Sequence, residues 1–256
     1  MSQFTPQIAL ITGASAGIGK AMAWSLASKN LALILVARRI ERLEELKEEI
    51  LEKYPQIHIH LIASDVNEPG LADKIASASN SRIDILINNA GLAIGKDKVE
   101  TSKFSDWEQM ISTNVLANFK MAHMVVPWML KHGGGDIINL CSIAGHLTYP
   151  GGAIYCASKH AVSAFTKVLR EETAGRNLRV MQISPGMVET DFSLTRFGGD
   201  KVAADSVYSG MTPLTGEDIA RMMQFMLDQP RHVVIDEIIT MPVAQGSPVT
   251  VVRGQV

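Results

Sequence analysis

At 256 residues, with 46% apolar and 20% charged side chains, the chain has the balance of one globular domain able to bury a sizeable core. A net charge of -2 offers nucleic acid no basic field, and no apolar run reaches the length of a membrane span. Cys141 and Cys156 lack CxxC or metal-ligand spacing and read as small buried residues, while MSQFTPQ lacks the basic and apolar regions of a leader, so a soluble cytoplasmic protein is expected.

Residues 8–12 form a short apolar run ending in TGASAGIG (12–19), and Ala21, Met22, Leu26 and Ala27 then follow helical spacing. Strand, glycine turn and helix N-terminus together make a phosphate cradle. Gly13, Gly17 and Gly19 let the backbone approach an anion, which unpaired N–H groups and the helix dipole attract. The spacing is not the commoner GxGxxG, and a purely structural turn is the alternative. Residues 31–37 are continuously apolar, as in a strand buried on both faces, and end in Arg38-Arg39. In a dinucleotide fold this position meets the adenosine ribose, where an acid would accept from a free 2′-hydroxyl. Two guanidiniums instead suit a 2′-phosphate, which predicts NADP rather than NAD. The alternative is a solvated charge pair opening the next helix.

Residues 41–54 read as an exposed amphipathic helix with Leu43, Leu46, Ile50 and Leu51 on its apolar face. Residues 57–63 read as a strand with His58 and His60 on one face; no third ligand is near, so no metal site is expected. Asp65 follows, where a carboxylate can meet an adenine amino group. Residues 83–87 form a fourth strand leading into Asn88-Asn89-Ala90-Gly91, a turn suited to close packing against a ribose or a neighbouring strand. Residues 105–130 carry a long helical pattern with Asn114, which needs a partner if buried, and with Met121, Met124 and Met129 as core filler. Residues 136–141 form a fifth strand that delivers Ser142 at its C-terminal end, where open α/β sheets bind ligands.

In YCASK (155–159) a helix places Tyr155 and Lys159 one turn apart on one face. A phenol has a reference pKa of about 10; a nearby ammonium lowers it, and a serine hydroxyl can hold a substrate oxygen against it. Alone, the motif is weak and an ordinary surface pair is the alternative. The helix should run to about residue 174, and 178–184 form a sixth strand ending in Pro185-Gly186. Residues 187–211 show turn residues and no clear period, a length that suggests a substrate lid with Met187, Phe192, Leu194 and Phe197 as apolar wall and Arg196 as a charge. Residues 217–227 read as a helix, 233–239 as a last strand, and 242–256 as a tail without period. No repeat or linker divides the chain, so 1–256 is one domain.

Residues 12–19, NNAG (88–91), Asn114, Ser142, Tyr155 with Lys159, and Pro185-Gly186 resemble, in order and spacing, the short-chain dehydrogenases/reductases. The resemblance implies an α/β fold: a single Rossmann-type doubly wound domain, its seven-stranded parallel sheet in the order 3-2-1-4-5-6-7, flanked by helices. It implies a catalytic tetrad of Asn114, Ser142, Tyr155 and Lys159, with Tyr155 as general acid/base. Lys159 would lower the tyrosine pKa and bond the ribose, Ser142 would orient the reacting oxygen, and Asn114 would position a relaying water. NADP would meet Gly13, Ser15, Gly17, Ile18 and Gly19, with Arg38 and Arg39 at its 2′-phosphate and Asp65 and Val66 at its adenine. Asn88, Ala90 and Gly91 would meet its second ribose, and Pro185, Gly186, Val188 and Thr190 its nicotinamide end.

PGMVETDFSLTRFGG (185–199), Tyr208, LTGEDIA (214–220) and Met241-Pro242-Val243 are similar to the NADP-dependent 3-hydroxy acid dehydrogenases, which act on serine, L-allo-threonine and 3-hydroxypropionate-type substrates. A carbonyl or 3-oxoacyl thioester reductase is the alternative on this scaffold; a non-catalytic NADP sensor is disfavoured because all four tetrad positions are filled. Arg196 is the first choice for the substrate carboxylate, ahead of Arg253 and His146. The partners implied are a small-molecule substrate and further copies of the chain in a homotetramer, with neither nucleic acid nor membrane.

Overall fold

The computed structural model describes residues 7–254; the sequence readings at residues 1–6 and at the last two residues of the tail lie outside these. Strand β1 (Ile8–Thr12) leads into α1 (Gly17–Ala27), followed by β2 (Ala32–Ala37), α2 (Ile40–Lys53), β3 (Ile59–Ala63), α3 (Leu71–Ser79) and β4 (Ile85–Asn88). Helix α4 (Phe104–Ile111) passes through a π turn (Ser112–Leu116) into α5 (Ala117–Lys131), then β5 (Gly135–Leu140), α6 (Ala153–Thr173) and β6 (Leu178–Pro185). Two short helices, α7 (Asp191–Arg196) and α8 (Lys201–Ser206), precede α9 (Gly216–Leu227) and β7 (Glu237–Thr240).

All seven strands pair in parallel in the order β3-β2-β1-β4-β5-β6-β7 that the resemblance implies. Period-two alternation divides the core. Ala9, Ile11, Leu33 and Leu35 face Met22, Leu26, Leu43, Leu46 and Met223, whereas Leu10, Ile34 and Val36 face Leu71, Ile75, Met121, Val125 and Met129. Helices α1, α2 and α9 therefore cover one face, and α3, α5 and α6 the other. The strand order reverses between β1 and β4, which leaves a crevice at their C-terminal ends.

Four differences from the sequence reading have local causes. Helix α3 drew no expectation, because its 9 residues bury only Leu71, Ile75 and Ser79, too few to show a period. The expected long helix is interrupted by the π turn around Asn114. The last strand is only 4 residues, because β7 pairs with Gln182–Pro185 while a turn holds Val233 against Pro230 upstream. The segment 187–211 is not aperiodic, but its helices have 6 residues each, too short to declare themselves. No described helix is long and apolar enough to cross a membrane.

Candidate active site

At the C-terminal ends of the central strands lies a cavity of about 530 Å³, large enough for an extended ligand. Gly13, Ser15, Gly17 and Ile18 line one end. Gly13 and Gly17 take φ of +67° and +52°, and a Cβ on Gly13 would lie 2.9 Å from Asn89 Nδ2, so side chains are disfavoured here. No side chain caps α1 and no acid occupies its first turn, which leaves its leading N–H groups to an anion. Gly19 does not line the cavity. It lies beneath the turn, where a Cβ would come within 2.3 Å of Gly13 O.

Arg38 and Arg39 leave β2 exposed on the cavity wall, and neither guanidinium has a hydrogen-bonding or ion-pairing partner among the described residues. Burial, then the Arg42 charge, draws the Arg39 pKa down, and Asp191 opposes them. Arg42 itself is paired to Asp191 at 2.6 Å. Asp65 and Val66 line the adjoining wall, Asp65 Oδ1 accepting from the Asn67 N–H at 2.9 Å. Asn88 does not reach the cavity. As the last residue of β4 it turns into the sheet, where Nδ2 donates to Asn139 Oδ1 (3.0 Å) and Asn118 O (3.3 Å). Its neighbour Asn89 lines the cavity instead and ties the turn to β1 through Thr12 O (2.9 Å) and Gly13 O (3.1 Å).

Ser142, Tyr155 and Lys159 meet midway along the cavity, beside Ala90, Gly91, Pro185, Gly186, Val188 and Thr190. Ser142 is presented by the end of β5. Its Oγ accepts from the Ala144 N–H (3.1 Å) and donates to Pro185 O (3.4 Å). Lys159 is not set against the phenol oxygen: Nζ donates to Leu140 O at 2.8 Å and lies 6.0 Å from the Tyr155 ring centroid. The expected lowering of the tyrosine pKa is therefore absent. Burial in the wall instead holds the phenol well above its ordinary range, against smaller pulls from Ser142 and Arg196. Burial likewise pushes the Lys159 ammonium down. Asn114 is buried behind Gly91 and does not line the cavity; Nδ2 donates to Leu92 O (2.8 Å) and Ser158 Oγ (3.0 Å), and Oδ1 accepts from the Leu92 N–H (2.8 Å).

Arg196, at the end of α7, closes the far side. Its Nε donates to Gly95 O (3.1 Å) and Nη1 to Tyr149 Oη (3.1 Å), and the guanidinium lies 5.9 Å over the Tyr155 ring. The other carboxylate candidates are engaged elsewhere. His146 Nε2 sits 2.6 Å from Glu237 Oε1, and Arg253 donates to the carbonyls of Val207 and Ser209. Lys96, Tyr149 and Gln245 line the cavity without having been anticipated. Tyr149 had a usable signal in the following Gly151-Gly152, since a Cβ on Gly152 would lie 2.4 Å from its ring. Gln245 had none: its Oε1 accepts from the Met187 N–H (2.8 Å) only because the tail folds back. Both cysteines are buried and free, and among the described residues no group of three or more His, Cys, Asp or Glu could hold a metal.

Residues 7–198 match the profile of the family described as short chain dehydrogenase. The chain is 42% identical to an NADP-dependent 3-hydroxy acid dehydrogenase of Schizosaccharomyces pombe over 100% of both chains. It is 41% identical to a sulfoacetaldehyde reductase of Chromohalobacter salexigens, over 92% of this chain and 94% of that one. Among solved structures, a closed form of serine dehydrogenase complexed with NADP+ superposes with a TM-score of 0.89 at 35% identity, over 97% of this chain and 100% of the other. The strand order, the glycine turn and the Ser142–Tyr155–Lys159 grouping agree with these likenesses, and the chain belongs to the short-chain dehydrogenase family.

Proposed function

We propose that the protein is an NADP-dependent oxidoreductase that moves a hydride between its cofactor and a 3-hydroxy acid of the serine, L-allo-threonine or 3-hydroxypropionate type. The observation that carries this reading is the Arg196 guanidinium 5.9 Å over the Tyr155 ring. An acid group one carbon removed from the reacting carbinol can meet a cation while its hydroxyl meets the phenol. The names of the relatives support the same substrate class.

The glycine turn, the uncapped N-terminus of α1 and the unpartnered arginines fit a phosphorylated dinucleotide. Gly13, Ser15, Gly17 and Ile18 would hold its pyrophosphate, Arg38 and Arg39 its 2′-phosphate, and Asp65 and Val66 its adenine. Ala90 and Gly91 would meet its second ribose, and Pro185, Gly186, Val188 and Thr190 its nicotinamide end. When bound, NADP(H) supplies the hydride chemistry. Tyr155 Oη takes the hydroxyl proton in oxidation and returns it in reduction, while Ser142 Oγ holds the reacting oxygen. Lys159 serves the ribose hydroxyls from beside Gly91. The Asn114 side chain is consumed by Leu92 and Ser158, so any relaying water falls to the backbone of the π turn.

Segment 187–211 serves as the substrate lid in this reading. Thr190 abuts Gly17, where a Cβ would lie 2.9 Å from its methyl, and Phe192 stands edge-on to Tyr155 at 5.7 Å. The reading also includes a cytoplasmic homotetramer, which light scattering and fractionation would test; exposed Leu116 and Val168 offer apolar surface for assembly. The direct test of function is NADP reduction with 3-hydroxypropionate, L-serine and L-allo-threonine against a neutral secondary alcohol. Arg196→Ala should raise KM for the acids by about tenfold or more while sparing the alcohol; an unchanged KM for the acids overturns the assignment.

A further inference from the structure

The acid end of the cavity carries more positive charge than one carboxylate needs. Lys96 follows Gly95, whose N–H donates to Arg196 O (2.8 Å) and whose carbonyl accepts from Arg196 Nε (3.1 Å). These reciprocal bonds fix the loop after β4 to the end of α7, so side chains 96 and 196 share one wall. Lys96 O is also held close to Gly151, where a Cβ would lie 2.4 Å away. The ammonium sits 5.1 Å over the Phe197 ring and has no hydrogen bond or ion pair with another described residue.

Neither cation has an ion pair with an acid among the described residues. Burial, then the charges of Arg196 and Arg253, draws the Lys96 pKa down, and no carboxylate opposes them. Asp97 and Asp106 line a second, small pocket that Arg196 also borders, and neither forms an ion pair with it. The acids of the main cavity, Asp65 and Asp191, stand at the arginine end, Asp191 already paired to Arg42. A monoanion beside Lys96 and Arg196 would leave a residual positive charge, whereas a dianion would neutralise both.

We propose that Lys96 and Arg196 form a two-cation subsite that ranks hydroxy substrates ending in a phosphate-type dianion above those ending in a single negative charge. The inference rests on the hydride-transfer reading of this cavity and deepens it by naming Lys96 as a specificity determinant. Phosphate monoesters and sulfate monoesters share a tetrahedral shape and differ in charge, since a phosphate monoester carries close to two charges above about pH 7. They therefore separate charge recognition from shape.

The test measures oxidation of 2-hydroxyethyl phosphate, 2-hydroxyethyl sulfate and 3-hydroxypropionate with NADP at about pH 7.5. In parallel, it measures inhibition of neutral-alcohol turnover by ethyl phosphate and ethyl sulfate, in the wild type, Lys96→Gln and Lys96→Arg. The wild type should favour phosphate over sulfate by about tenfold in both kcat/KM and inhibition. Lys96→Gln should bring the ratio near one through KM rather than kcat, and Lys96→Arg should retain it. Equal inhibition by the two esters in the wild type, or a ratio unmoved by Lys96→Gln, overturns the proposal. A phosphate preference in inhibition without turnover of any hydroxy acid would leave the subsite standing and strike the broader functional reading alone.

Discussion

On the proposed reading, the exposed pair at the end of β2 sets cofactor choice. Replacing Arg38 and Arg39 together by alanine removes both guanidiniums that face the cavity without a partner of their own. A charge-assisted hydrogen bond contributes about 1.5–3 kcal/mol, and exposure to solvent keeps each at the lower end. Two such losses at about 1.5 kcal/mol each come to roughly 3 kcal/mol, or about 150-fold in kcat/KM for NADP. Arg42 compensates poorly, because its guanidinium would first have to leave Asp191 at 2.6 Å. Arg42 and Arg38 place like charge beside Arg39, opposed by Asp191, and a phosphate there would offset that repulsion. The two changes should not add, since the side chains are neighbours. The assay is steady-state kinetics with NADP and NAD on one hydroxy acid, for the two single variants and the double. An unchanged NADP-to-NAD ratio in the double variant, or an equal fall for both cofactors, would mean that the pair does not read the 2′-phosphate.

Two further outcomes follow from the buried groups. Because burial holds the Tyr155 phenol above its ordinary pKa, the protonated form prevails through neutral pH. Reduction, which needs the proton, should run level there and fall as the phenol ionises, while oxidation should climb with pH; an oxidation rate level across about pH 6–9 would contradict this, and Tyr155→Phe should cost about 10²–10⁴-fold in either direction. At the opposite end of the sheet, Asp136 and Arg179 are 1% and 3% exposed, joined by bonds of 2.7 and 2.8 Å, and Arg231 also donates to Asp136. Asp136→Asn leaves buried guanidinium charge uncompensated and should cost about 3–5 kcal/mol in denaturant unfolding; a loss below about 1 kcal/mol would mean that the neighbouring carbonyls hold Arg179 alone.

What the sequence revealed depended on how locally each feature is encoded. Strand β1 and helix α2 were legible because four apolar residues and Thr12 before a glycine turn, and Leu43, Leu46 and Ile50 among charges, each carry their own pattern. The Asn88-Asn89 pair shows the limit. Two like residues at a strand end point to opposite sides, and nothing in the string NNAG says which one faces the cavity. Lys159 shows another: one helical turn brings it near Tyr155, yet the carbonyl of Leu140 on β5 claims its ammonium. The motif fixes the spacing along the helix, and the neighbouring strand decides where the charge goes.

The two ends of the cavity are built in different ways, and this accounts for the unequal legibility. Ser142, Gly91 and Gly186 follow β5, β4 and β6, so the ladder register places them, and a one-residue slip would reverse every buried face of the strand. Positions under that constraint tolerate little drift, which is why their spacing is readable. The acid end hangs instead on bonds between loops: Gly95 to Arg196, Arg196 to Tyr149, and Met187 to Gln245. None of these bonds fixes the identity of residue 96, which can change without disturbing a strand. On the proposed reading, substrate charge is retuned at Lys96 while Ser142 and Tyr155 stay in place, so that one scaffold would serve acids of different charge.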